Sequence, residues 1–187
     1  MKKTIFSGIV LVSLIAVFVA LPVFAAGKSA PAGKSKTAHL YLYEKNPSDW
    51  SIVKKGAWGK MTYKTAGPEF KFAFNGKKLE PNTDYSLIYY PDPWPGNNLI
   101  VLGSATSKKS GNVHIQGSVD IGDLPIASDF NSDSTKTTHE YTGLTGAKIW
   151  LVKSSDIATS GTPHMTGWNP TKYLFENNLI TFTKVTK

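Results

Sequence analysis

Phe70-Lys71-Phe72-Ala73-Phe74-Asn75-Gly76, FKFAFNG, places three phenylalanines two residues apart, with Lys71, Ala73 and Asn75 between them. Successive side chains of a β-strand point to opposite faces, so this spacing gathers the three rings on one side; a helix would spread them around its axis. One face of the strand must therefore be core. Upstream, beyond the Gly67-Pro68 break, Gly59 to Tyr63 repeats the pattern, with Met61 and Tyr63 against Lys60 and Thr62. Ala38 to Tyr43 makes an earlier strand in which Leu40 and Leu42 alternate with His39, Tyr41 and Tyr43. Downstream, the turn LEPNTDY leads into Tyr85, Leu87 and Tyr89 alternating with Ser86, Ile88 and Tyr90. That strand runs into YYPDPWPGNN, Tyr89 to Asn98, where Pro91, Pro93 and Pro95 hold the residues before them extended and Gly96 ends the stiff connection.

The second half continues in short strands. Leu99 to Ala105 and Val113 to Val119, joined by KKSGN (Lys108 to Asn112), read as a hairpin with one wet face. Asp120 to Gly146 is a long segment rich in Ser, Thr and Asp, of the kind that is functional or mobile in a compact domain. Ala147 to Lys153, AKIWLVK, is a continuous apolar run, the mark of a strand buried on both faces. Asn169-Pro170 looks like an N-cap and N1 pair opening one short helix through Glu176, and Leu179 to Val185 forms the last strand. About eight short strands separated by turns predict an all-β fold, an antiparallel β-sandwich of immunoglobulin-like or Greek-key type, with one short helix near the C-terminus.

Outside this pattern, Lys2 and Lys3 precede an uncharged apolar run from Ile5 to Leu21, and Val23-Phe24-Ala25 fits a signal-peptidase site. Residues 1–25 are expected to be a signal peptide, 26–37 a flexible lysine-rich linker, and 38–187 a single domain. An uncleaved membrane anchor is the alternative for the first segment, and both place the domain outside the cytoplasm, extracellular or at the cell surface. The 187 residues contain no cysteine, which excludes disulfides, thiolate metal sites and thiol nucleophiles. The net charge is +8 and every basic residue is a lysine. Without arginine for bidentate contacts, and with the lysines scattered, the charge does not predict a nucleic-acid partner. It suits a solvated surface or attraction to an acidic envelope, with a cell-envelope glycan or another surface protein as the expected partner.

The blocks AHLYLYEK, GAWGKMTY, LEPNTDYSLIYYPDPWPG, GNVHIQGSVDIGDLP, GAKIWLV and MTGWNPTKYLFE resemble a group of small exported β-rich proteins of archaea and bacteria without an assigned activity. The resemblance covers most of the chain from Ala38 to Phe182. It implies a surface or extracellular location and one β-rich domain, and it transfers no catalytic residue. Asn131 to Tyr141 stands apart from the shared blocks and reads as an insertion.

Three groups of residues are candidates for chemistry. In the proline-rich loop, Tyr89, Tyr90 and Trp94 offer rings and Asp92 and Asn97 offer polar groups, as a sugar-binding surface needs. The competing reading has Trp94 folded back as a plug over the end of the fold, while Trp58, Trp150 and Trp168 read as core. In the long segment, Asp129, Asn131, Asp133, Thr137 and Glu140 occupy positions 1, 3, 5, 9 and 12 of a calcium-loop spacing, with Ser134 where that loop needs glycine. Calcium is thus the one candidate cofactor. His39, His114, His139 and His164 are too far apart in sequence for a local metal motif. No nucleophile elbow or phosphate loop is present. The expectation is a non-enzymatic binding or structural domain. The alternative is a secreted carbohydrate-active protein, either glycan-binding or a hydrolase with carboxylates such as Asp92, Asp120 or Asp123.

Overall fold

Strand alternation carries directly into the computed structural model, which describes residues 36–136 and 140–186. The expected signal peptide, all but the end of the linker, Thr137 and His139 lie outside the described residues. In chain order the strands are β1 (Thr37–Tyr43), β2 (Trp58–Lys64), β3 (Ala66–Gly67), β4 (Phe70–Lys77), β5 (Asp84–Tyr90), β6 (Ile100–Thr106), β7 (Val113–Val119), β8 (Lys148–Lys153), β9 (Ile157–Ala158), β10 (His164–Met165), β11 (Leu174–Glu176) and β12 (Thr183–Lys184). Eight of them form one sheet in the order β6-β5-β8-β11-β1-β2-β4-β7, with every neighbouring pair antiparallel.

The fold is all-β, as expected, and its ladder runs unbroken through the eight strands instead of dividing into two sheets. The sheet curls until its edges meet, so the arrangement is nearly a barrel. At the seam a Cβ on Gly103 of β6 would press on the Ile115 side chain of β7, and one on Gly117 of β7 would approach the Leu102 carbonyl. β6 and β7 are consecutive in the chain but share no ladder. Each pairs away from the other, β6 with β5 and β7 with β4. The expected hairpin is therefore corrected to a seam. A connection of six residues fits either arrangement, and the pairing partners of the two strands decide between them.

The interior is filled from the alternate positions of every strand: Leu40 and Leu42, Met61 and Tyr63, the three phenylalanines of β4, Tyr85, Leu87 and Tyr89, Ile115, and Ile149 and Leu151. Burying each such side chain contributes about 1.5–3 kcal/mol. Packing here is tight enough to dictate Gly59, because a Cβ there would overlap the Phe74 ring.

On the outside the two halves differ. The outer positions of β4 and β7, among them Lys71, Asn75, His114, Gln116 and Ser118, are exposed, whereas β5 and β8 are buried on both faces. The both-face burial expected for Ala147 to Lys153 is observed. The expected helix at 169–176 is not. Only Pro170–Lys172 turns, as a single 3-10 turn, and Leu174–Glu176 enters the sheet as β11 between β1 and β8. Asn169 does not cap the turn; its side-chain amide donates to Asp156 at 2.8 Å. Pairing on both sides and full burial of Leu174, Phe175 and Glu176 outweigh the local Asn-Pro signal. The last segment pairs only briefly, Thr183–Lys184 lying parallel to β3.

Candidate functional site

The outer face of β5, β8 and β11 carries a second apolar cluster: Ile88, Tyr90, Leu99, Trp150, Val152, Met165, Tyr173 and Phe175, with Trp50, Val101 and Ile157 packed on it. Three segments cover this face. The excursion between β1 and β2 brings Trp50, which sits at φ 57 and meets Phe175 edge-on at 5.1 Å. The proline-rich loop lies across the end of β5, and the stretch from His164 to Trp168 is laced to it. Met165 N–H donates to the Pro95 carbonyl and Asn98 N–H to that of Pro163, both at 2.9 Å. Gly96, at φ 72, is needed in the loop because a Cβ there would collide with the Tyr90 ring.

Between these covers a cleft of about 310 Å³ remains open. Its walls are Trp50, Tyr90, Trp94, Trp150, Trp168 and Phe175. Tyr90 stacks on Trp150 with centroids 3.8 Å apart, and Trp168 is encircled by Trp50, Trp94 and Trp150 at interplanar angles of 55°, 80° and 54°. Trp94 is 52% exposed and Trp168 43%.

The floor is charged. Lys148 Nζ pairs with Asp92 Oδ2 at 2.6 Å, and Asp92 also accepts from Asn131 Nδ2 at 2.8 Å. Lys45, buried, pairs with Glu140. Glu176, at the end of β11, is 1% exposed, and among the described residues its Oε2 has no hydrogen-bond partner. Burial pushes its carboxyl up to about 8, against the pull of Lys45 and Lys148 and with the help of Glu140. Below the floor Asp129 accepts from the Tyr89 hydroxyl, from Asp92 N–H at 3.0 Å and from Asn131 N–H at 3.1 Å. Burial raises the Asp129 carboxyl more than these hydrogen bonds lower it.

The candidates from the sequence divide accordingly. Tyr90, Asp92 and Trp94 line the cleft. Tyr89 points into the core, where its hydroxyl serves Asp129, and Asn97 is exposed and takes no part in the lining. Trp94 is not a plug, and Trp168 is cleft wall instead of core. Trp58 is half-buried under the Lys77 ammonium, and Trp150 is buried as expected.

The calcium spacing does not gather its described members around one point. Asp129 and Asn131 brace Asp92, Asp133 accepts from Thr135 N and Oγ1 at 2.9 and 2.7 Å, and Glu140 belongs to Lys45. Among the described residues no group of three or more His, Asp or Glu is placed to hold a metal. His39, His114 and His164 bond separately to Thr62, Asn75 and the Thr162 carbonyl. Asp120 and Asp123 both engage Lys184, away from the cleft that Asp92 lines. A larger open depression of about 510 Å³ includes Ser86, Ser104 and Ser154, the Ser86 hydroxyl bonding to each of the other two at 2.8 Å.

Sequence reasoning missed Trp50, Lys45, Lys148, Phe175 and Glu176. A signal did exist: Lys148 and Glu176 are charges set inside apolar runs, AKIWLVK and YLFE, and a charge kept in such a place asks for a partner.

Comparison of the chain with protein-family models, with curated proteins and with solved structures finds no match. Among the described residues no helix is long and apolar enough to cross a membrane.

Proposed function

We propose that this chain is an exported, non-enzymatic binding domain of the cell surface or extracellular space, and that its ligand occupies the aromatic cleft. One observation carries the reading: two tryptophans, Trp94 and Trp168, stay exposed over a cleft whose floor holds a buried carboxyl oxygen without a partner among the described residues. Exposed tryptophans in contact with each other make the kind of apolar patch that marks a binding site, and an orphaned buried polar group is costly until water or a ligand completes it. In this reading the curled sheet is the scaffold, its halves β6-β5-β8-β11 and β1-β2-β4-β7 facing each other as the sheets of a sandwich would. The exposed apolar and aromatic surface is local to the end where β5 leaves the sheet.

Glycan binding is the second reading, supported by the exposed Trp94 ring beside the fixed Asp92 carboxylate. Intrinsic tryptophan fluorescence and calorimetry on the full chain, titrated with envelope oligosaccharides and with small polar metabolites, test both readings. A saturable ligand is expected for wild type, with affinity reduced by about tenfold or more in Trp94→Ala and Trp168→Ala, as befits aromatic anchors. Equal affinity in wild type and both variants would remove the cleft as the binding site.

A further inference from the structure

We infer that the cleft is a receptor for an alkylated ammonium group, held by the rings around Trp168 and by the carboxyl of Glu176. The inference rests on the cleft reading above and names its ligand class.

Ring geometry separates the two chemistries. A sugar stacks on one broad, flat face, whereas here Trp50, Trp94 and Trp150 are inclined at 54° to 80° to Trp168. Rings set at such angles along one cleft offer no single flat face, which suits a rounded group better than a planar one. The negative faces of indole rings attract a desolvated cation.

Charge points the same way. The floor brings together Asp92, Glu140 and Glu176, opposed by two ammonium groups, Lys148 on Asp92 and Lys45 on Glu140. Each of those pairs is complete, so the carboxyl left over is that of Glu176, and once it is ionised a ligand that supplies a positive charge balances the set. A neutral ligand of the same shape brings no charge to an ionised Glu176, and an anion would meet three carboxyl groups.

The inference also fixes a pH dependence. The titratable groups facing Glu176 are Lys45 after β1, Lys148 on β8, Asp92 in the proline-rich loop, and Glu140 and Tyr141 in the long segment, the Tyr141 hydroxyl also donating to the Glu176 main-chain carbonyl. With its carboxyl raised to about 8, Glu176 holds a proton at neutral pH and becomes the cation's counter-ion once it is lost. Affinity for the cation therefore rises as pH increases through that value.

The test uses the full chain, with tetramethylammonium and choline as probes and 3,3-dimethylbutan-1-ol as the uncharged isostere of choline, followed by tryptophan fluorescence at several pH values. Choline is expected to bind about tenfold or more tightly than the isostere at pH 9, as a cation–π site requires. It is expected to weaken severalfold by pH 6.5, and Glu176→Gln should abolish that pH dependence while Trp94→Ala weakens binding at every pH. Equal binding of choline and its isostere, or cation binding with no pH dependence in wild type, overturns the inference. Saturable binding of an oligosaccharide without cation binding also overturns it, yet leaves the cleft reading standing. Absence of binding by both classes removes both.

Discussion

The two faces of the β5-β8-β11 half are both apolar and both rich in aromatic rings, yet they are finished differently. Inside, Leu87, Tyr89, Ile149, Leu151 and Leu174 join a closed core in which the tyrosine hydroxyls of β5 are partnered, that of Tyr89 donating to Asp129 and that of Tyr85 accepting from Glu80 N–H. Outside, Tyr90, Trp150 and Phe175 are equally well buried, but the cluster they form ends in two exposed tryptophans and a floor of charged side chains. An interior that served only stability would not need Lys45, Lys148 and Glu176, since replacing buried charges by packed apolar groups is often neutral or stabilising. The comparison separates a face that holds the fold together from one that keeps unspent polar chemistry.

The largest effect expected from breaking the comparison lies on the inner face. Phe74→Ala, which empties the middle of the β4 row, should lower unfolding free energy by about 3–5 kcal/mol in urea titration. No single truncation among the exposed cleft residues should approach it.

A smaller effect, of opposite meaning, belongs to the outer face. The Glu176 carboxyl is raised from 4.5 to about 8 on folding, so between those values the folded chain binds the proton that the unfolded chain has released. Stability should therefore be fully present below about pH 4.5 with respect to this group, decline as pH climbs to about 8 and level off above it, by an amount on the order of a few kcal/mol. Glu176→Gln should flatten that decline. Denaturant midpoints measured from pH 5 to pH 9 check both, and a wild-type profile as flat as that of the variant would show that Glu176 is not held in its protonated form.

The least effect is predicted for Trp94→Ala. Its ring is half exposed, so the change should move stability by less than about 0.5–1 kcal/mol even though it disables the cleft. A large loss of stability would mean that Trp94 belongs with the packed cluster, and the contrast between the two faces would narrow.

Much of this contrast was legible in the sequence. The alternation in Phe70 to Phe74 set the inner row of β4, and the unbroken run AKIWLVK announced that β8 has something apolar on both sides. Pairing was less legible, because alternation states which face a side chain occupies and says nothing about the neighbour across the ladder. So β6 and β7 read as partners when they are the two margins of the seam. Leu174–Glu176 escaped notice because three residues are too few to show a period, and the preceding Asn-Pro favours a turn that is indeed present, only shorter. Within the cleft, Tyr90, Asp92 and Trp94 were recognisable from their loop. Trp50, Lys45 and Glu176 come from segments far apart in the chain and meet only through folding.

Asp129 was singled out for a metal and instead accepts hydrogen bonds from β5, from the start of the proline-rich loop and from its own turn. One carboxyl group thereby joins the long segment to the loop that presents Asp92. The cleft floor is preorganised: the conformational entropy of those two segments is lost when the domain folds, so an arriving ligand need not order them again.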